Sequence, residues 1–96
     1  MKDKEKNYKI EFDEAAIKDL DNLTAKAQKQ ITEAVKKLKD DPRSVGSKLK
    51  GYDKLYRLRT GDYRIVYTIE DDVLVVLIIA VGPRKEIYDL LKRRID

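Results

Sequence analysis

Cysteine, histidine and tryptophan are all absent from this 96-residue chain. Without cysteine there is neither a disulfide framework nor a thiolate metal site. Without histidine, zinc–histidine centres, Ser-His-Asp triads and paired-histidine ribonuclease chemistry are excluded. Long apolar runs are missing too. Val73 to Val81 is far short of the roughly 20 residues that a bilayer-spanning helix needs. The opening MKDKEKN has no apolar stretch behind it, so the chain reads as cytoplasmic rather than exported.

What remains is a dense mixture: 42% of residues are charged and 42% hydrophobic. That balance fits one folded domain over residues 1–96, with residues 1–7 as a flexible tail. The net charge is only +4, with 22 Lys and Arg against 18 Asp and Glu, which by itself is weak support for a nucleic-acid partner. Its distribution says more. From Lys48 to Arg64 there are six basic residues and two acids, Asp53 and Asp62.

YKIEF (Tyr8 to Phe12) alternates as a strand does. Asp13 is a candidate N-cap for a helix with Ala16, Ile17, Leu20 and Leu23 on its apolar side. Thr24 caps a second helix, with Ala27, Ile31, Ala34, Val35 and Leu38 as its stripe. DDP at 40–42 ends that helix. This helical hairpin is expected to pack on its own sheet. Residues 43–54 read as irregular and basic.

Two strand-like runs then flank Gly61-Asp62. A two-residue turn with glycine first sets the register by counting outward: Thr60 faces Tyr63, Arg59 faces Arg64, Leu58 faces Ile65, Arg57 faces Val66 and Tyr56 faces Tyr67. Alternation puts Tyr56, Leu58, Ile65 and Tyr67 on a core face and Arg57, Arg59 and Arg64 on the other. The third strand, Val73 to Val81, is apolar without break and is expected to be interior. Pro83 is expected to open a last helix with Ile87, Leu90, Leu91 and Ile95 as its stripe, on which Arg84 and Tyr88 lie side by side. The expected fold is α+β, in the order β-α-α-β-β-β-α, a small antiparallel sheet with an N-terminal helical hairpin, a C-terminal helix and the helices largely on one face.

Arginine opposite arginine is destabilising unless an anion joins the two. The alternative is that these side chains reach water or pair with Asp53 or Asp62. Arg84, entering from the end of the neighbouring strand, would add a fourth guanidinium. Phosphate is the natural guest, because guanidinium forks bind it bidentately and stabilise added charge in a phosphorane-like transition state. Tyr88 is either part of this site or the rim of the last helix. Lys48, Lys50 and Lys54 read equally as solvated lysines or as contacts to an RNA backbone. The acids 40–41 and 70–72 fall where acids are ordinary, so no metal site and no cofactor is expected.

At this point KLKGYDKLYRLRTGDYRIVYTI, VGPRKEIYDLL and the opening YKIEFDEAAIKDLDNL resemble the RelE group of the RelE/ParE toxin superfamily over nearly the whole chain. The resemblance implies a small ribonuclease that enters the ribosomal A site and cuts messenger RNA, restrained by a RelB-like antitoxin. The family's basic pair falls on Arg57 and Arg59, its strand arginine on Arg64, its arginine after the last strand on Arg84 and its terminal tyrosine on Tyr88. Well-studied members carry lysine at the basic pair, and matching them here requires a turn one residue shorter. The implied chemistry is metal-free attack of a 2′-hydroxyl on the adjacent phosphorus. Since arginine stays protonated, any proton acceptor must be Tyr88, a nearby lysine or the ribosome. Two rivals remain: a ParE-like inhibitor of DNA gyrase that acts by binding, and a binding module with no toxicity.

Overall fold

In a computed structural model of the protein, the structure describes residues 7–95. The tail expected at 1–7 lies outside the described residues except for Asn7. Strand β1 (Lys9–Phe12) leads into α1 (Glu14–Asp21) and α2 (Ala25–Lys36), which tightens into a 3-10 turn at Lys37–Lys39. There follow α3 (Pro42–Val45), β2 (Ser47–Lys48), β3 (Tyr56–Thr60), β4 (Tyr63–Glu70), β5 (Val75–Pro83) and α4 (Ile87–Ile95). The α+β class and the main element order are as expected.

Local chemistry accounts for the α1–α2 hairpin. Thr24 Oγ1 accepts a bond from the Ala27 amide at 3.1 Å, closing the start of α2. Asp13 stands at the N-cap of α1 with extended backbone, but its side chain accepts no capping bond. In α2 the stripe Ala27, Ile31, Ala34, Val35 and Leu38 is buried throughout. In α1, Ala16 is buried and Leu20, like Leu23 just past the helix end, packs on the core, while Ile17, expected inside, is 46% exposed. Part of the segment expected to be irregular is ordered. Asp41 accepts from the Ser44 amide and Pro42 opens α3, the position where a missing N–H costs nothing.

The sheet order is β1-β5-β4-β3-β2. The hairpin pairs Thr60 with Tyr63, Arg59 with Arg64, Leu58 with Ile65, Arg57 with Val66 and Tyr56 with Tyr67, as counted from the turn. Gly61 has φ +61° at the first central position, a conformation that costs glycine little. Strand β5 is interior where expected, between β1 and β4. Two features depart from expectation. β1 runs parallel to β5, so the sheet is antiparallel only from β5 onward.

The helices also divide between the two faces. α1 and α2 cover Leu58, Ile65, Tyr67, Val76, Ile78 and Val81. α4 packs on the other face, where Ile87 and Leu91 meet Val66, Ala80 and the loop residues Leu49 and Leu55. Strand β5 continues through Pro83, which pairs with Tyr63 and so ends a strand instead of opening a helix. Residues 84–86 form a turn, and α4 begins only at Ile87. Arg84 and Tyr88 therefore do not share a helix face. Ile95, expected on the apolar stripe, is 46% exposed.

Candidate active site

The arginines lie on the face that α4 only partly covers. Arg59 and Arg64 are direct partners across β3 and β4, and Arg64 pairs on its other side with Gly82 of β5. Arg57 is the next residue on the same side of β3, opposite Val66. The turn carrying Arg84 is pinned to the hairpin tip, because the Arg84 amide donates to the Asp62 carbonyl at 2.7 Å. A Cβ placed on Gly82 would lie 3.7 Å from Leu90 and 3.8 Å from Ile87. The first turns of α4 thus stand over the residue paired with Arg64, and Tyr88 sits in the first of them, 41% exposed.

These charges are left without neutralising partners. Among the described residues no ion pair engages Arg57, Arg59, Arg64 or Arg84. Arg64 Nη1 instead donates to the carbonyls of Gly61 and Tyr63 at 3.0 and 2.9 Å, which folds its head over the turn. Arg57 Nε is buried with no hydrogen-bond partner, a costly arrangement for a charged group unless an acceptor arrives. Arg64 is pushed below the ordinary arginine range, first by partial burial and then by the fields of Arg59, Arg57 and Arg84, with Asp62 opposing. The result is a concentration of positive charge on one sheet face beside a phenol-bearing helix, suited to an anion that accepts several bonds at once. A cavity of about 270 Å³ adjoins it, lined by Asp62, Pro83, Arg84 and Lys85.

The three lysines are not gathered there. Lys48 pairs with Tyr56 and so shares that residue's side of the sheet, opposite the arginines. Lys50 is exposed beyond the end of β2. Lys54 lines a separate cavity of about 420 Å³ with Arg43, Asp53, Tyr56 and Thr68, at the other end of β3. Tyr88 makes no hydrogen bond with the arginines among the described residues. Nor do three or more carboxylates converge among these residues in a way that would hold a metal ion.

The remaining polar contacts support the scaffold. Arg43 holds Asp71 bidentately at 3.0 and 2.7 Å, and the Tyr8 hydroxyl donates to the same carboxylate at 2.7 Å, tying β1 and α3 to the β4–β5 turn. Gln30 donates to the Thr60 carbonyl at 3.0 Å, fixing α2 to the hairpin end. Sequence reasoning missed one partly buried pair, Asp19 with Arg94. Its only trace is position: Asp19 falls beside Leu20 on α1, and Arg94 follows Ile87 and Leu91 on α4 at helical spacing.

A five-stranded sheet with a helical hairpin on one face, a short helix on the other and an arginine-rich hairpin defines a small α+β fold. The chain belongs to the RelE/ParE superfamily of type II toxin–antitoxin toxins: the model of the ParE toxin of the type II parDE system matches residues 10–88. It is 34% identical over 92 residues to the mRNA interferase toxin RelE of Escherichia coli K12, covering 92% of this chain and 97% of that one. The isolated E. coli RelE toxin has a similar fold, with a TM-score of 0.70 and 31% identity over 93% of this chain and 99% of that one. So does a chain of the toxin–antitoxin complex RelBE2 from Mycobacterium tuberculosis, with a TM-score of 0.74 and 29% identity over 80% of this chain and 98% of that one. No helix among the described residues is long and apolar enough to cross a membrane.

Proposed function

We propose that this protein is the toxin of a type II toxin–antitoxin pair and acts as a RelE-type endoribonuclease, cutting messenger RNA in the ribosomal A site and so halting translation in the cytoplasm. The observation that carries the reading is an arginine row with no ion pair among the described residues: Arg57, Arg59 and Arg64 on one sheet face, with the Arg84 turn bonded to the hairpin tip. The name of its E. coli relative, an mRNA interferase toxin, supports the reaction class. Similar folds in complexes of RelE with RelB support an antitoxin of the RelB kind as partner.

In the proposed reaction the 2′-oxygen bonds to the adjacent phosphorus, the bond from phosphorus to the 5′-oxygen breaks, and a 2′,3′-cyclic phosphate remains. The proton leaving the 2′-hydroxyl goes to a base, and one is delivered to the departing 5′-oxygen. Arg57, Arg59 and Arg64 hold the phosphate and stabilise the charge that develops on it. Arg84 stands by the leaving oxygen, and Tyr88 orients the nucleophile or stacks on a base. No metal is required, because the guanidiniums supply the positive charge. With arginine unable to act as base at neutral pH, the free enzyme has little means of removing the 2′ proton, and the ribosome completes the site. Lys48, Lys50 and Lys54 contact RNA backbone away from the scissile phosphate.

Single-turnover cleavage on ribosomes programmed with a defined message tests this. Wild-type protein should cut ribosome-bound message far faster than the same RNA free in solution. Arg64→Ala and Arg84→Ala should each lose about 10²–10³-fold. Equal rates on both substrates would refute ribosome dependence. The RelE names of its relatives do not favour the gyrase-inhibitor alternative. Growth arrest undiminished in both Arg84→Ala and Tyr88→Ala would count against the ribonuclease reading.

A further inference from the structure

Helix α4 is held to the sheet by little hydrocarbon. Among the described residues its buried side chains are Ile87 and Leu91, with Leu90 packed beside them. The same face continues to residue 94, and there the inward side chain is an arginine. Arg94 Nη1 donates to Asp19 Oδ2 at 2.7 Å and to the Ile79 carbonyl at 2.9 Å, while Nη2 donates to Asp19 Oδ1. Asp19 Oδ2 in turn accepts from the Val81 amide at 3.0 Å. The pair is largely shielded from water, with side-chain exposures of 24% for Arg94 and 10% for Asp19.

The backbone explains why these groups meet. β1 pairs with β5 only from Val75 to Ile78, so beyond that point β5 has an open edge. The Ile79 carbonyl and Val81 amide are groups that a further strand would bond, and unpaired edges of this kind are costly or sticky. The guanidinium takes the carbonyl and the carboxylate takes the amide. Beside them a groove of about 270 Å³ runs between α1 and α4, past Val81, Gly82 and Pro83. Arg94 is also held above the ordinary arginine range, chiefly by its bonds to Asp19.

We infer that Asp19 and Arg94 form a latch that closes the open edge of β5 and fixes α4 across it, making both of them positioning residues for Tyr88 above the arginine row. The inference about Tyr88 rests on the ribonuclease reading; the latch itself does not. A partly buried ion pair contributes little net stability compared with a well-packed hydrocarbon, but the bonds among Arg94, Asp19, Ile79 and Val81 hold these groups in one arrangement. In this latch α1, β5 and α4 are joined at a single point, seven residues and about two helical turns from Ile87.

The test compares wild type with Arg94→Met, which keeps an unbranched apolar stem, and with Arg94→Lys, which keeps the charge. Hydrogen exchange reads the latch directly. In Arg94→Met the amides of α4 should exchange at least about tenfold faster while those of α2 are unchanged, with Arg94→Lys intermediate. On programmed ribosomes the saturated cleavage rate of Arg94→Met should fall about tenfold with the half-saturating ribosome concentration within about twofold, since a small misplacement of a reacting group is enough for that. In a Tyr88→Ala background the same substitution should add less than about twofold. Unchanged exchange in α4 would overturn the latch, and so would Arg94→Met unfolding while Arg94→Lys exchanges like wild type. A wild-type cleavage rate in folded Arg94→Met, or a loss that multiplies independently of Tyr88, would overturn the positioning role. If wild-type protein does not cut ribosome-bound message, the ribonuclease reading fails and the exchange measurement still decides the latch.

Discussion

Arg59 and Arg64 face one another across an antiparallel pair with no carboxylate joined to either among the described residues. In a sheet evolved for stability alone, that arrangement would be eliminated, because like charges directly opposed are destabilising. Removing one should therefore separate stability from function. Arg59→Gln is expected to raise unfolding free energy by about 0.2–1 kcal/mol in urea titration while slowing cleavage on ribosomes. A variant both less stable and fully active would show that Arg59 is structural. Tyr67 makes a different residue-scale case. Its ring is buried and stacked on Tyr56 at 5.7 Å, and its hydroxyl donates to the Pro42 carbonyl at 2.6 Å. Burial pushes its hydroxyl up to about 12. Because the folded state holds the proton more tightly than the unfolded chain, the contribution is complete below pH ~10, where the unfolded tyrosine titrates, and is lost as pH rises towards 12. Urea midpoints should fall across that window in wild type and fall less in Tyr67→Phe; parallel curves would contradict the assignment.

At the scale of elements, the hairpin was legible in full, whereas the last helix was legible in its stripe but not in its start. A two-residue turn beginning with glycine leaves no freedom in counting, so the face carrying Arg57, Arg59 and Arg64 followed from Gly61 alone. Gly61→Ala should cost about 1–2 kcal/mol by forcing a side chain into the left-handed region. The new Cβ would also stand 2.6 Å from Gln30 Nε2, displacing the contact that ties α2 to the hairpin. Thermal denaturation reads the loss, and a wild-type midpoint would contradict it. Pro83 was misread because proline suits both a helix start and the last position of a strand, and only pairing with Tyr63 decides between them. The α2 stripe was legible because every apolar residue on it is buried. In α1 the same periodicity placed Ile17 inside, although that residue is exposed.

For the whole molecule, what escaped the sequence is what depends on the path of the chain through space. Nothing in YKIEF reveals that its partner is β5, in parallel. Nothing in the stripe of α4 reveals which side of the sheet it covers. Asp19 and Arg94 lie 75 residues apart and meet only because both flank the open edge of β5. The arginines are brought together by a register the sequence does encode, whereas Lys48 and Lys54 belong to other surfaces despite being neighbours in sequence. In a domain with a net charge of only +4, Arg57, Arg59, Arg64 and Arg84 have no ion-pair partner among the described residues. Binding of a polyanion through them should be weakened by salt.

The account depends most on four guanidiniums serving one phosphate. Their side-chain nitrogen–proton signals can be followed in protein labelled at arginine while an RNA dinucleotide lacking the attacking 2′-hydroxyl is added. The prediction is that signals of Arg57, Arg59, Arg64 and Arg84 move together, with one shared binding constant, and that Arg94 does not. Four independent responses, or none in Arg64 and Arg84, would contradict it.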